Sequence, residues 1–145
     1  MKKILLILSL FFGLVSFAQR GQMKERIKAQ KVAFITEKLS LTADEAEKFW
    51  PIYNAFETTT DNIRSKDLRD VKQSVRRNPD MSDAEANKVL DKLLKAENNM
   101  HKAKVKLISD LKGVIPVKKI IRLKRAEDEF NRELLKKLRD RRKRD

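Results

Sequence analysis

Apolar residues recur at every third or fourth position along most of the chain, with charged residues between them. That spacing places the apolar side chains on one face of a helix and therefore predicts amphipathic helices. Three breaks in the pattern, at residues 40–42, 78–82 and 113–116, divide it into four segments. The second and third segments each predict a helix of roughly 45–55 Å.

The starts of these helices carry recognisable signals. Thr42 precedes Glu45 by three residues, and Ser82 precedes Glu85 by the same distance. In such a capping box the hydroxyl accepts a hydrogen bond from the third helical N–H, and the carboxylate accepts one from the N-cap N–H. Pro116 suits the first position of the last helix, because no backbone donor is needed there. The signals thus predict where three of the helices begin.

Composition agrees with the periodicity. Among 145 residues there are only 3 glycines and 3 prolines, whereas charged residues make up 39%. Such a chain favours long helices over a β-sandwich, a barrel or a loop-rich enzyme. We therefore expect an all-α fold of about four helices, two of them long, forming an elongated, bent helical hairpin or bundle. Because each apolar stripe is narrow for a closed core, we expect a dimer in which a second copy covers part of it.

The N-terminus has the three-part pattern of a secretory signal peptide. Lys2 and Lys3 precede an apolar run at 4–15, and the small residues Ser16 and Ala18 follow it. That run is too short to span a bilayer as a helix. We expect cleavage after Ala18, so that the chain consists of a signal peptide at 1–18, a helical domain at 19–138 and a charged tail at 139–145.

Pro51 lies inside the second predicted helix, nine residues beyond Thr42. A proline there removes a backbone donor and presses on the preceding turn, which predicts a bend. Phe49, Trp50 and Tyr53 surround it in the sequence. Two interpretations stay open: a kinked helix that presents these rings as an apolar binding surface, or a kink that only packs against the core.

The chain is strongly basic, with 35 Lys and Arg against 21 Asp and Glu. The excess can serve solubility, attract acidic or unfolding polypeptides over long range, or give weak contact with an anionic membrane surface. The signal peptide and the lack of a recognisable binding module argue against nucleic acid. The candidate basic patch consists of Arg64, Lys66, Arg69, Lys72, Arg76 and Arg77.

Motifs for chemistry are lacking in the sequence. Acidic residues are interleaved with lysines and arginines, which is typical of solvated, ion-paired helix faces. There is no cysteine, and His101 is the one histidine. No phosphate-binding loop, nucleophile elbow or zinc-protease motif occurs. We therefore expect a protein that is not an enzyme and has no catalytic residues, cofactor or metal site.

Leu41, Thr42 and Glu45 resemble the Leu-Thr-x-x-Gln motif of the Spy/CpxP group of periplasmic proteins, with Glu in place of Gln. The stretch LTADEAEKFWPIYN, residues 41–54, looks like the version found in Bacteroidetes-type members. A second copy, 74 residues further on, would be Ile115–Lys119, which lacks both the Thr and the Gln. The resemblance is specific over about fourteen residues, and in helix layout it extends to most of the exported chain.

The resemblance implies a periplasmic homodimer of curved helical hairpins with a concave face. In better-known members that face holds partly unfolded proteins without ATP. The function expected from it is an ATP-independent chaperone for unfolded or acidic envelope proteins. The alternative is an envelope-stress sensor that docks one membrane partner in a sigma-factor or two-component circuit.

Overall fold

The structure is a computed structural model that describes residues 22–143, and almost all of them are helical. The prediction of an all-α fold with four helical stretches, two of them long, is confirmed. The signal peptide expected at 1–18 lies outside the described residues. The elements in chain order are α1 (22–38), α2 (Ala43–Asn62), a π-helical segment (Ile63–Leu68), α3 (Arg69–Arg77), α4 (Asp83–Leu111) and α5 (Val117–Arg142).

The second helical stretch is continuous from α2 through the π-helical segment to α3, and it ends before Pro79 as predicted. The π-helical segment was not predicted. Just before it, Thr58, Thr59 and Thr60 each donate a side-chain hydrogen bond to a carbonyl of the preceding turn, at 3.0, 2.9 and 3.1 Å. Such hydrogen bonds from hydroxyl groups to helical carbonyls slightly destabilise a regular helix and often bend it.

Two helix boundaries differ in detail from the prediction. Pro116 stands one residue before α5, and its carbonyl accepts hydrogen bonds from the N–H groups of Lys119 and Ile120 at 2.8 and 3.3 Å. It is therefore an N-cap residue and not the first helical residue. At the other end, α5 continues through Arg142, into the predicted tail. Basic residues in the last turn suit the carbonyl end of a helix dipole, which accounts for the extra turn.

The helices divide into two compact units. The first contains α1 and α5 from residue 122 onward. Across it, the rings of Phe34 and Phe130 lie 5.7 Å apart, and Lys38 forms an ion pair with Glu129 at 3.1 Å. Arg125 and then Lys38 lower the pKa of Glu129 by donating hydrogen bonds to its carboxylate. The buried apolar residues of this unit are Ile35, Leu39, Leu123, Ala126 and Phe130.

The second unit, Leu41–Ile121, is a helical hairpin. Its first arm consists of α2, the π-helical segment and α3, and all three contact the second arm, α4. A second capping box starts α4: Ser82 N–H donates to Glu85 Oε2 at 3.0 Å, and Ser82 Oγ accepts from Glu85 N–H. The buried residues of this unit are Phe49, Tyr53, Thr60, Ile63, Val71, Ala96, Leu107, Leu111 and Ile115.

Candidate functional site

The first motif copy forms the capping box that the sequence predicts. Thr42 Oγ1 accepts a hydrogen bond from Glu45 N–H at 3.2 Å, and Glu45 Oε2 accepts one from Thr42 N–H at 2.9 Å. Two N–H groups at the start of α2 are satisfied in this way, since no earlier helical turn supplies acceptors for them. The motif thus fixes the first turn of α2.

The second motif copy lies against the first. Lys119 Nζ donates a hydrogen bond to Glu45 Oε2 at 2.6 Å, and both side chains are largely buried, with 19% and 17% of their surfaces exposed. Glu45 and Lys119 occupy the same position in the two copies, 74 residues apart. Ile115, the counterpart of Leu41, is a core residue. Position 119 of the suggested second copy thus forms an ion pair with position 45 of the first.

The carboxylate of Glu45 is stabilised in its charged form. The hydrogen bond from Lys119 is the largest cause that lowers its pKa, followed by the hydrogen bond from the Thr42 backbone, while partial burial acts weakly in the opposite direction. Glu85 has the same capping geometry, and the Ser82 backbone and hydroxyl lower its pKa as well. The two capping boxes differ in that only Glu45 also bonds a lysine distant in sequence.

The aromatic residues near Pro51 form a cluster, but not the surface that the sequence suggested. Phe49 and Tyr53 stack at 5.4 Å, and both are 0% exposed. Trp50 is half-buried and meets the edges of both rings, at 5.0 and 5.5 Å. The predicted apolar binding surface is therefore wrong for Phe49 and Tyr53, because both side chains are fully buried in the core of their unit. Pro51 is exposed, and the bend expected there stays a prediction.

The candidate basic patch lies on the π-helical segment and α3, and all six of its side chains are exposed. Within the described residues, only Arg64 of the six forms an ion pair, with Asp61 at 3.5 Å. Arg69, Lys72 and Arg76 share one face of α3 at helical spacing, away from the buried Val71. The structure therefore brings these three cations together and leaves them accessible to an anionic partner.

A second apolar stripe lies on the outer face of α4. Leu90, Leu94, Val105 and Ile108 are 49%, 54%, 52% and 38% exposed, although their spacing places them on one side of the helix. These four residues were not predicted from the sequence as a separate set. The sequence could have shown this stripe. Residues on the buried face of α4 recur every seven positions through Leu107, and the four exposed apolar residues lie outside that repeat.

The described residues show no cluster of side chains that could hold a metal ion. No group of three or more His, Asp and Glu side chains converges within residues 22–143. His101 is exposed on α4, between Leu94 and Val105 of the outer stripe. None of the helices in this range is long and apolar enough to cross a membrane. The candidate sites on the described surface are thus the cationic face of α3 and the apolar stripe of α4.

Comparison with protein-family models, curated proteins and solved structures finds no match for this chain.

Proposed function

We propose that this chain is an exported, ATP-independent binding protein that holds acidic, partly unfolded envelope proteins on the outer face of α3. The observation that carries the proposal is the cationic face of Arg69, Lys72 and Arg76, exposed and without ion pairs to other described residues. Beside it lies Val75, which is 51% exposed. Positive charge attracts an acidic chain over about a Debye length, and adjacent apolar surface then adds short-range contact.

The charge balance of this segment supports capture rather than general solubility alone. Residues 64–77 contain six basic side chains against two acidic ones, Asp67 and Asp70. On α4, by contrast, six lysines stand against five acidic residues, and Lys106 forms an ion pair with Asp110 at 2.7 Å. A face with unneutralised positive charge attracts anions more strongly than a mixed face, and the attraction weakens with added salt.

The test is suppression of aggregation of an acidic client protein during chemical unfolding, measured by light scattering with the exported chain at equimolar concentration. The triple variant Arg69→Gln, Lys72→Gln, Arg76→Gln removes three charges from α3. The matched control Lys88→Gln, Lys92→Gln, Lys95→Gln removes three from α4. We expect only the first to lose suppression, and we expect added salt to weaken suppression by the unaltered chain.

Equal loss in both triple variants would show that only net charge matters and would refute the α3 site. No suppression by the unaltered chain, even at low salt, would refute the chaperone proposal. If pull-down from envelope extracts then returned one stoichiometric membrane protein, the regulator alternative would take its place. A broad set of clients bound through α3 would support the chaperone.

The outer stripe of α4 suits a second copy of the chain. In an antiparallel pairing of two α4 helices, Leu94 of one copy faces Val105 of the other. In the same pairing, Leu90 of one copy faces Ile108 of the other. The same register brings Glu97 close to Lys104 of the other copy, twice by symmetry. A self-complementary stripe flanked by opposite charges is what a two-fold interface requires. We include this homodimer in the proposal because it leaves the cationic face of α3 free.

The lack of cysteine in the chain makes this register directly testable. The double variant Leu94→Cys, Val105→Cys should form a covalent dimer on mild oxidation. Neither single variant should form one, because in this register the same residue in the two copies is separated by roughly 16 Å along the helix axis, which is beyond the reach of a disulfide. Cross-linking of the single variants would indicate a parallel pair, and no cross-linking of the double variant would refute pairing through this face.

A further inference from the structure

The first unit has an apolar crevice at the end where α1 begins. It has a volume of about 280 Å³ and lies between the first turns of α1 and the last turns of α5. Met23 and Ile27 form one wall, and Leu134 and Leu138 form the other. Leu138 remains 42% exposed and Met23 48% exposed, so the walls are partly open to solvent.

The rim of the crevice is cationic. Arg26 lies on α1, and Lys137 and Arg141 lie on α5; no carboxylate lines this crevice. The antiparallel register set by Phe34 against Phe130 places Arg26 opposite Lys137. Two like charges facing each other across an apolar cleft repel, and nothing among the residues that line it compensates them. An anion between them would relieve that repulsion.

The neighbouring groove shows that this arrangement is local. Around Phe34 and Phe130 the same two helices contribute Glu37 and Glu133, and Lys137 lines this groove as well as the crevice, so that the groove is of mixed charge. Further along, Lys38 and Arg125 are both paired with Glu129. Of these three regions along the helix pair, the crevice is the one whose lining contains no carboxylate.

We propose that this crevice binds a single-chain anionic amphiphile, namely a long-chain fatty acid in its carboxylate form. The tail lies between the apolar walls, and the carboxylate accepts hydrogen bonds from Arg26 and Lys137. Arginine suits this role, because its guanidinium can bind a carboxylate through two parallel hydrogen bonds. The volume lies at the low end of ligand sites, which favours one chain over a two-chain lipid.

The test is titration of the full exported chain with dodecanoate below its micelle concentration, followed by calorimetry. We expect saturable binding at one ligand per chain. The double variant Arg26→Gln, Lys137→Gln should weaken it at least tenfold, whereas the matched control Lys92→Gln, Lys95→Gln on α4 should leave it within twofold. Leu138→Asn, at an already exposed position of the wall, should weaken binding without loss of helix content by circular dichroism.

Dodecyl maltoside provides the neutral control for the head group, and anionic vesicles provide the bilayer control. Equal affinity for dodecanoate and the maltoside would overturn the assignment, because the cationic rim would then have no role. Vesicle binding that is lost in the same Arg26 and Lys137 variant, without binding of free dodecanoate, would overturn it in favour of a membrane-surface contact. The crevice lies in a different unit from α3, so either result leaves the proposed client site untouched.

Discussion

Replacement of Phe49 by alanine tests whether the aromatic residues of α2 are core or binding surface. The ring is 0% exposed and contacts both Trp50 and Tyr53. Deletion of a fully buried Phe side chain costs about 3–5 kcal/mol, since it loses both transfer free energy and packing around the cavity. A chain of this size has a total stability of about 5–15 kcal/mol. Phe49→Ala should therefore fold but lower the melting temperature on the order of 10–20 °C.

Trp50→Ala provides the comparison, because Trp50 is half-buried and its loss should cost below about 2 kcal/mol. Urea unfolding followed by circular dichroism gives both free energies, and an unchanged slope shows that the two variants unfold from comparable states. Phe49→Leu, a milder change, keeps the measurement possible if the alanine variant does not fold. The client assay on the same proteins should show no loss that exceeds the loss of folded protein.

The reasoning fails if Phe49→Ala is no less stable than Trp50→Ala. It fails equally if Phe49→Ala remains as stable as the unaltered chain and yet no longer suppresses client aggregation. Either result would mean that these rings face a partner and not the core, which is one of the two interpretations that the sequence leaves open.

Four further outcomes follow from the helix ends. Thr42→Ala and Ser82→Ala should each lower the free energy of unfolding by about 1 kcal/mol, measured in urea, because each removes a cap. Glu45→Gln should destabilise more than Glu85→Gln, since both keep a capping oxygen but only the first loses the partner of a buried lysine. The pKa of both carboxyl groups is lowered in the folded chain. The stability that these groups contribute is therefore fully present above their ordinary pKa, and it should be lost as the pH falls through the lowered pKa, which acid unfolding measures. Ser40, which has φ 48°, should tolerate glycine but lose about 1–2 kcal/mol as Ser40→Val, because a left-handed backbone disfavours β-branched residues.

The helices and their starts could be predicted because they depend on local chemistry. Both capping boxes and the stop before Pro79 are written in residues three or four apart, and the structure bears them out. The π-helical segment could not be predicted in the same way, since a widened turn depends on competition among hydroxyl groups, carbonyls and packing. Its effect is large, because it changes which residues after Ile63 share a face.

Burial was harder to predict than periodicity. Tyr53 and Trp50 are three residues apart and look alike in a helical pattern, yet one is 0% exposed and the other is half-buried. Which of them faces α4 depends on the rotation of α2 about its axis, and the sequence of one helix does not contain that angle. The outer stripe of α4 was overlooked for a related reason: two apolar stripes on one helix read as one wide face until a partner covers only one of them.

The ion pair between Glu45 and Lys119 links the starts of two helices. Lys119 lies in the first turn of α5, where the partial positive charge of a helix N-terminus disfavours a cation. Glu45 lies in the first turn of α2, where the same field favours an anion, and it also satisfies the cap of that helix. The Glu45 carboxylate therefore neutralises Lys119 at the start of α5 and also completes the capping box at the start of α2. A Thr and a Gln in the second copy would satisfy α5 by itself, whereas Lys119 makes the start of α5 depend on the start of α2. Substitution of Glu45 should therefore disturb both helix starts, whereas neutral substitution of Lys119 should leave the cap of α2 in place.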